Sequence, residues 1–248
     1  MRIKATCSFK GWHYAGWQIQ PHAISVQEII QQTLKSITKS SVAVIGCSRT
    51  DAKVSAEDFV FHFDITMAIP LTNLKKVLND RLPKDIYIYD LEVVEKSFHA
   101  RRDSKAKLYR YTIETGAYNV FENEHVYQFN KPIDIRMSQQ VLDIFVGTHD
   151  FTSFNTTPLS VVSNQVRTIT FAKIQQVGSK AIVHVQGNGF LHHMVRMIVQ
   201  TMIEVNKGNI TVDDVSRMLQ AKDKNVCRYK ADAQGLTLER VYYESNNE

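Results

Sequence analysis

Cysteine is scarce in this chain. Cys7, Cys47 and Cys227 are the only three among 248 residues. They are far apart, odd in number and contain no C-x-x-C pair. That argues against a disulfide framework and a cysteine zinc site, and fits a reducing cytoplasm. No apolar run approaches the length of a membrane span. No repeat, low-complexity segment or long linker interrupts the sequence. The first residues, "MRIKATCSFKG", read as a strand and not as a signal peptide. The familiar phosphate loops are missing as well. Gly11 and Gly16 have P-loop spacing, but Trp17 and Gln18 stand where Lys-Ser/Thr belongs, and there is no G-x-G-x-x-G. Nine histidines include no H-E-x-x-H. His192 and His193 are adjacent, so on a helix they would diverge and make a poor metal pair. A protein with no metal and no cofactor is the simplest expectation.

What is present is an ordinary soluble composition, 44% hydrophobic and 22% charged. Thirty basic against twenty-five acidic residues leave a formal charge of +5 and a pI near 9.0. That modest excess is compatible with a polyanionic partner. The length suits one or two domains.

Periodicity divides the chain into strands and helices. Val26, Ile29, Ile30, Leu34 and Ile37 predict a helix over 25–37, and Ser25 with Glu28 makes a capping box at its start. "VAVIG" reads as a buried strand. Phe59, Phe61, Phe63 and Ile65 alternate with Val60, His62 and Asp64, which predicts a strand with one dry face. Leu71 to Leu82 predict a helix stopped by Pro83. "DIYIYDLEVV" and "KLYRYTIET" follow as strands. Further on come a helix over 138–145, paired strands about a turn at Gly178, a long helix over 190–205, a shorter one capped by Thr211, and a closing strand, "GLTLERVYYE". Strands and helices mix without a strict β-α-β beat, so the class is α+β. "HARRDSKAK" is the expected junction, dividing the chain into halves 1–104 and 105–248.

Three places carry candidate chemistry, each with a bland alternative. Between two strands, Arg49, Thr50 and Asp51 bring a cation, a hydroxyl and an anion together. This is either a turn or a carboxylate held for reaction. An exposed aspartate has a pKa near 3.9 and is ionised at neutral pH, ready to act as nucleophile or base. From 101 to 110, Arg101, Arg102, Lys105, Lys107 and Arg110 face one acid, Asp103. Five minus one gives +4 in ten residues. The stretch is either a solvated loop or a phosphate-contacting patch running into Tyr109, a ring that is either core or a platform for a base. On the long helix, His192, Arg196 and Gln200 recur four apart, opposite an apolar stripe. That line is either a solvent face or an arginine aimed into a cleft.

Read together, the motifs resemble one family. "GWHYAGWQIQ" with "SVQE", "SRTDAKVSA", "FHAR", "KLYRYTI", "GTHDFTSF", "GFLHHMVRMIV" and "AQGLTLERVYY" fall in the order of the tRNA pseudouridine synthase A family, across nearly the whole chain. The resemblance implies that Asp51 is the catalytic aspartate and that Tyr109 is the ring stacking on the target uracil. It implies that Arg49 and Arg196 lie near the carboxylate. It also implies two α+β halves, RRM-like or ferredoxin-like, sharing a continuous, mostly antiparallel sheet with helices on one face and an active cleft between the halves. Such an enzyme is a cytoplasmic homodimer without metal or cofactor. It isomerises uridines on the 3′ side of the tRNA anticodon stem-loop.

Some positions depart from the usual signature. Lys10 stands in place of Asp. Ser48, Lys53 and Ser55 replace Gly, Gly and His. Gln200 replaces a Gly, and Asp232 and Thr237 replace Pro and Tyr. The lost glycines predict an altered backbone near the aspartate, because Lys avoids positive φ. Two rival readings stand beside the enzyme: a silent RNA-binding protein of the same fold, and a hydrolase pairing Asp51 with Glu57, since glycoside hydrolysis generally needs two carboxylates.

Overall fold

The protein is described by a computed structural model covering residues 1–244. Its contacts divide it into two units, one of Met1–Lys105 together with the chain from Thr237 onward, the other Ala106–Leu236. Both units are α+β, as the mixed element order predicts.

The first unit begins β1 (Arg2–Phe9), α1 (Val26–Thr38), β2 (Val44–Gly46), β3 (Ser55–Asp64), α2 (Leu71–Arg81), β4 (Ile86–Val94). This is the β-α-β-β-α-β order of a split βαβ unit. β1 lies between β3 and β4 and is antiparallel to both. The sequence dictates much of this locally. Ser25 accepts the Glu28 N–H at 3.3 Å and starts α1 where the capping pattern places it. α1 then buries Val26, Ile30 and Leu34, and α2 buries Leu74 and Leu78. Each such side chain contributes about 1.5–3 kcal/mol of burial. Phe59, Phe61 and Phe63 enter an aromatic core in which Trp17 stacks on Phe59 at 4.0 Å.

β3 differs from the expected strand with one dry face, because its other face is dry as well. Val60 is 3% exposed and His62 2%. The cover on His62 comes from the 98–100 segment: its Nδ1 accepts the Ala100 N–H at 3.1 Å, and the rings of Phe98 and His99 pack beside it. Alternation alone cannot reveal a second covering layer supplied from elsewhere in the chain.

The edge of β3 is shared. Its far end, Phe61–Phe63, pairs antiparallel with β2. Its near end, Ser55 and Ala56, pairs parallel with Thr237 and Leu238 of the last strand, β10 (Leu236–Tyr242). The segment carrying Arg49, Thr50 and Asp51 leaves the sheet after β2 and returns at the start of β3.

The second unit holds β5 (Ala106–Glu114), β6 (Tyr127–Gln128), α3 (Ile135–Asp143), β7 (Gly147–Asp150), β8 (Val166–Val177), β9 (Lys180–Gly187), α4 (Met194–Asn206) and α5 (Val212–Ala221). Its strands run β5-β9-β8-β7, with β6 parallel beside β5. The short strands β6 and β7 are too brief for periodicity to register. α3 starts earlier than its apolar pattern, because Asp134 accepts the Met137 N–H at 2.9 Å. α5 is capped by Thr211 as expected, with Asp214 reciprocating.

α4 starts later than its sequence pattern. His193 takes φ +63° and caps the helix in the left-handed region. His192 therefore lies outside the helix, and its line with Arg196 and Gln200 is not a single helical face. Nor does Arg196 sit on a solvent face: it is 9% exposed.

Candidate active site

The loop bearing Asp51 is clamped by backbone from the N-terminal "GWHYAGW" segment. Trp17 N–H donates to the Thr50 carbonyl at 3.1 Å, and Lys53 N–H donates to the Tyr14 carbonyl at 3.2 Å. Val54 N–H closes a turn on the Asp51 carbonyl at 3.2 Å. Gly16 makes the first contact possible. Its φ is +85°, and an added Cβ would meet the Thr50 oxygen at 2.3 Å and the Asp51 carbonyl carbon at 2.9 Å. Gly11 presses equally close on the other side, where a Cβ would lie 2.2 Å from the Val54 oxygen. Ser55, one of the departures, accepts the Gly11 N–H at 3.0 Å. Tyr14 is tied in turn to Asp85 at 2.7 Å. The carboxylate thus stands on a backbone held by several independent bonds, as a positioned reactive group requires.

Within this frame Asp51 is half-buried, Arg49 exposed and Thr50 buried. Thr50 Oγ1 is a buried hydroxyl with no hydrogen-bond partner among the described residues. Arg101 lies close enough to feel Arg49. Burial lowers its pKa, and the neighbouring guanidinium lowers it further. Two cations of the first unit therefore approach one another beside the Asp51 loop, an arrangement that favours an anionic ligand.

Lys53 corrects one expectation. Lysine stands where the signature has glycine, and although lysine avoids positive φ, Lys53 itself takes φ +67°. A lysine in that region costs about 1–2 kcal/mol. Its Nζ lies over the Trp12 ring, 4.2 Å from the centroid, a contact worth about 0.5–1 kcal/mol at an exposed site. The interaction offsets the strain at most in part.

The remaining residues of the basic stretch are dispersed. Arg102 and Lys105 are exposed, whereas Lys107 is 8% exposed and Arg110 half-buried, both within β5. Asp103, the single acid, is engaged locally and accepts the His99 N–H at 2.7 Å.

In the second unit, Tyr109 is 7% exposed in β5, and its ring meets Phe190 edge-to-face at 5.1 Å. Its neighbour on the same face, Tyr111, is fully buried and donates its hydroxyl to the Asp232 carbonyl at 2.7 Å. Arg196 is fixed by Nε donating to the Ala231 carbonyl at 2.8 Å, while Ala231 N–H returns a bond to the Arg196 carbonyl at 3.1 Å. The 231–232 segment therefore anchors both Tyr111 and Arg196, a link that sequence spacing does not disclose. His192 and His193 do not diverge. The left-handed backbone at His193 stacks the rings 3.7 Å apart, with the Nδ1 atoms 2.9 and 2.8 Å from the Thr156 hydroxyl.

Sequence reasoning did not single out Gly16 or Trp17 as the clamp on the loop, nor Phe190 as the partner of Tyr109. The signal for the clamp was present in "AGW", since a glycine beside a buried tryptophan marks a close backbone approach. Nothing in the local pattern pointed to Phe190.

Comparison with known proteins adds an independent line. Residues 141–244 match the family described as tRNA pseudouridine synthase. A tRNA pseudouridine synthase A of Exiguobacterium sibiricum is 38% identical over 242 residues, spanning 98% of this chain and 96% of that protein. One from Clostridium acetobutylicum is 38% identical, with 97% and 99% spanned. One from a Geobacillus species is 39% identical over 246 residues, with 98% and 99% spanned.

Proposed function

The chain belongs to the tRNA pseudouridine synthase A family, and on that premise we propose that it isomerises uridine to pseudouridine in the tRNA anticodon stem-loop, with Asp51 as the catalytic carboxylate. The observation that carries the assignment of Asp51 is the clamped loop, in which Trp17, Tyr14 and two close-packed glycines hold the backbone around this one acid.

The reaction is an isomerisation. The N1–C1′ bond breaks, the uracil turns, C5 bonds to C1′, and the proton lost from C5 is balanced by one gained at N1. Nothing is oxidised or consumed, so the chemistry asks for a placed carboxylate, a means of retaining the free base and a surface for the RNA backbone. Asp51 supplies the carboxylate. Tyr109 is the ring on which the flipped uracil stacks. Extruding a base costs a few kcal/mol, and one stacked base returns about 1–3 kcal/mol, so Tyr109 offsets much of that cost. Arg49 is the guanidinium group on the loop of the carboxylate, and the family resemblance assigns Arg196, fixed through Nε to Ala231, to the same chemistry. Arg101, Arg102 and Lys105 are the cations of the first unit offered to phosphates, with Lys107 and Arg110 continuing the basic stretch along β5.

The homodimer and the cytoplasmic location are part of the same reading and come from the family resemblance. No helix among the described residues is long and apolar enough to cross a membrane.

The test is to map pseudouridine in tRNA treated with the purified protein and with Asp51→Asn. The wild type should convert uridines of the anticodon stem-loop. The variant should lose conversion by several orders of magnitude while still retaining the tRNA in a binding assay. Full activity in Asp51→Asn would remove the carboxylate from the mechanism. Free uracil as the product would make the protein a hydrolase, and binding without conversion by the wild type would make it a silent RNA-binding protein.

A further inference from the structure

Lys53 and Trp12 form a unit that the reaction described above does not use. Trp12 is half-exposed and Lys53 exposed, with the Lys53 ammonium 4.2 Å from the centre of the indole. Trp12 lies on the segment that clamps the catalytic loop, and Lys53 lies on that loop. Gly11, beside Trp12, is packed against the Lys53 and Val54 backbone, and Lys53 stands two residues from Asp51. Lys10, on the other side of Gly11, is a further exposed cation on the same segment, its backbone N–H bonded to the Asp85 carbonyl at 2.9 Å.

The lysine is not explained by stability. Glycine would take φ +67° without strain, and the contact with the indole only partly offsets what lysine loses there. What the lysine adds is a charge in a fixed place. The ring narrows the range of a long, otherwise mobile side chain and leaves its ammonium at the surface, on a residue two places along the loop from the catalytic acid. An ammonium is a compact phosphate-binding group, and ordering it before binding lowers the entropy lost when a phosphate arrives.

We propose that Trp12 and Lys53 form a preorganised phosphate clamp that grips the RNA backbone next to the target uridine and so helps select and seat the substrate. The ligand is a backbone phosphodiester, contacted by Lys53, with Trp12 positioning the ammonium. This rests on the reading of the protein as a tRNA-modifying enzyme.

The test compares wild type, Lys53→Gly, Lys53→Arg and Trp12→Leu in steady-state pseudouridine formation, in tRNA binding at several salt concentrations and in thermal unfolding. Lys53→Gly removes the strain together with the charge, so its Tm should equal or exceed that of the wild type. Its KM for tRNA should rise several-fold, with a much smaller change in kcat. The slope of log K against log salt should flatten by about 0.7–0.9, the loss of one phosphate contact. Lys53→Arg should recover most of the affinity. Trp12→Leu should keep the full salt slope, because the charge remains, but bind more weakly. An unchanged salt slope and KM in Lys53→Gly would overturn the clamp, as would a fall in its Tm accounting for the loss. A wild-type protein that forms no pseudouridine would instead sink the functional reading beneath it.

Discussion

Replacing Gly16 by alanine should cripple the enzyme through a single methyl group, although Gly16 is not itself a reacting residue. The added carbon would sit 2.3 Å from the Thr50 carbonyl oxygen, while ordinary contact begins near 3.4 Å. The difference, 3.4 − 2.3, requires the carbonyl to retreat by about 1.1 Å. The carbonyl cannot do so and keep its 3.1 Å bond from Trp17 N–H. Losing that bond costs about 1 kcal/mol, and alanine at φ +85° adds about 1–2 kcal/mol. With residual crowding, the loss of stability comes to roughly 2–4 kcal/mol. The Tm should fall by roughly 5–15 °C for a chain of this size. The kinetic effect should be of comparable size. Asp51 is the next residue after Thr50, and misplacing a reacting group by an ångström costs about 100-fold. The assay is release of tritium from C5 of labelled uridine in tRNA, run at a temperature where circular dichroism shows the variant fully folded. A kcat within threefold of wild type, whatever the Tm, would show that Asp51 does not depend on this clamp. An unchanged Tm would show that the contact is not tight at all.

Two other outcomes follow from the same structure. Tyr109→Phe should keep most of the rate, whereas Tyr109→Leu should lose it, because the proposed role belongs to the ring; equal losses in single-turnover assays would assign the role to the hydroxyl. His62 should make stability fall on acidification. Burial holds its pKa down to about 4, helped by Arg2 and His99, against about 6.5 in the unfolded chain. Between those values the unfolded state binds the extra proton, so stability present above pH 6.5 is lost as the pH drops towards 4, at no more than about 1.4 kcal/mol per pH unit. Denaturant titrations of His62→Asn should show a flatter profile over that window; an identical slope would acquit the histidine.

How much of this was legible in the sequence depends on how local each cause is. α1 and α5 could be placed from their caps, since Ser25 and Thr211 act on N–H groups three residues away. The start of α4 could not, because it is set by a left-handed histidine held through Thr156, 37 residues earlier. Asp51, Tyr109 and the two arginines were recognisable as ordered motifs, but what holds them was not. The Trp17 bond to Thr50 and the Ala231 bonds to Arg196 join positions more than 30 residues apart, beyond the reach of any periodicity. Lys53 shows the opposite failure: propensity argues against positive φ for a lysine, and the frame around Gly11 and Tyr14 nonetheless holds Lys53 at φ +67°.

The pairing of β10 with the start of β3 has a consequence for biosynthesis. The first unit cannot complete its sheet until residues 237 and 238 exist, and the 131 residues from Ala106 to Leu236 must be made first. At about 5–20 residues per second on the ribosome, the rim at Ser55 and Ala56 waits roughly 7–26 s without its final neighbour. A nascent chain stalled anywhere in that interval would present the beginnings of its reactive loop next to an unfinished border, open to pairing with the wrong strand.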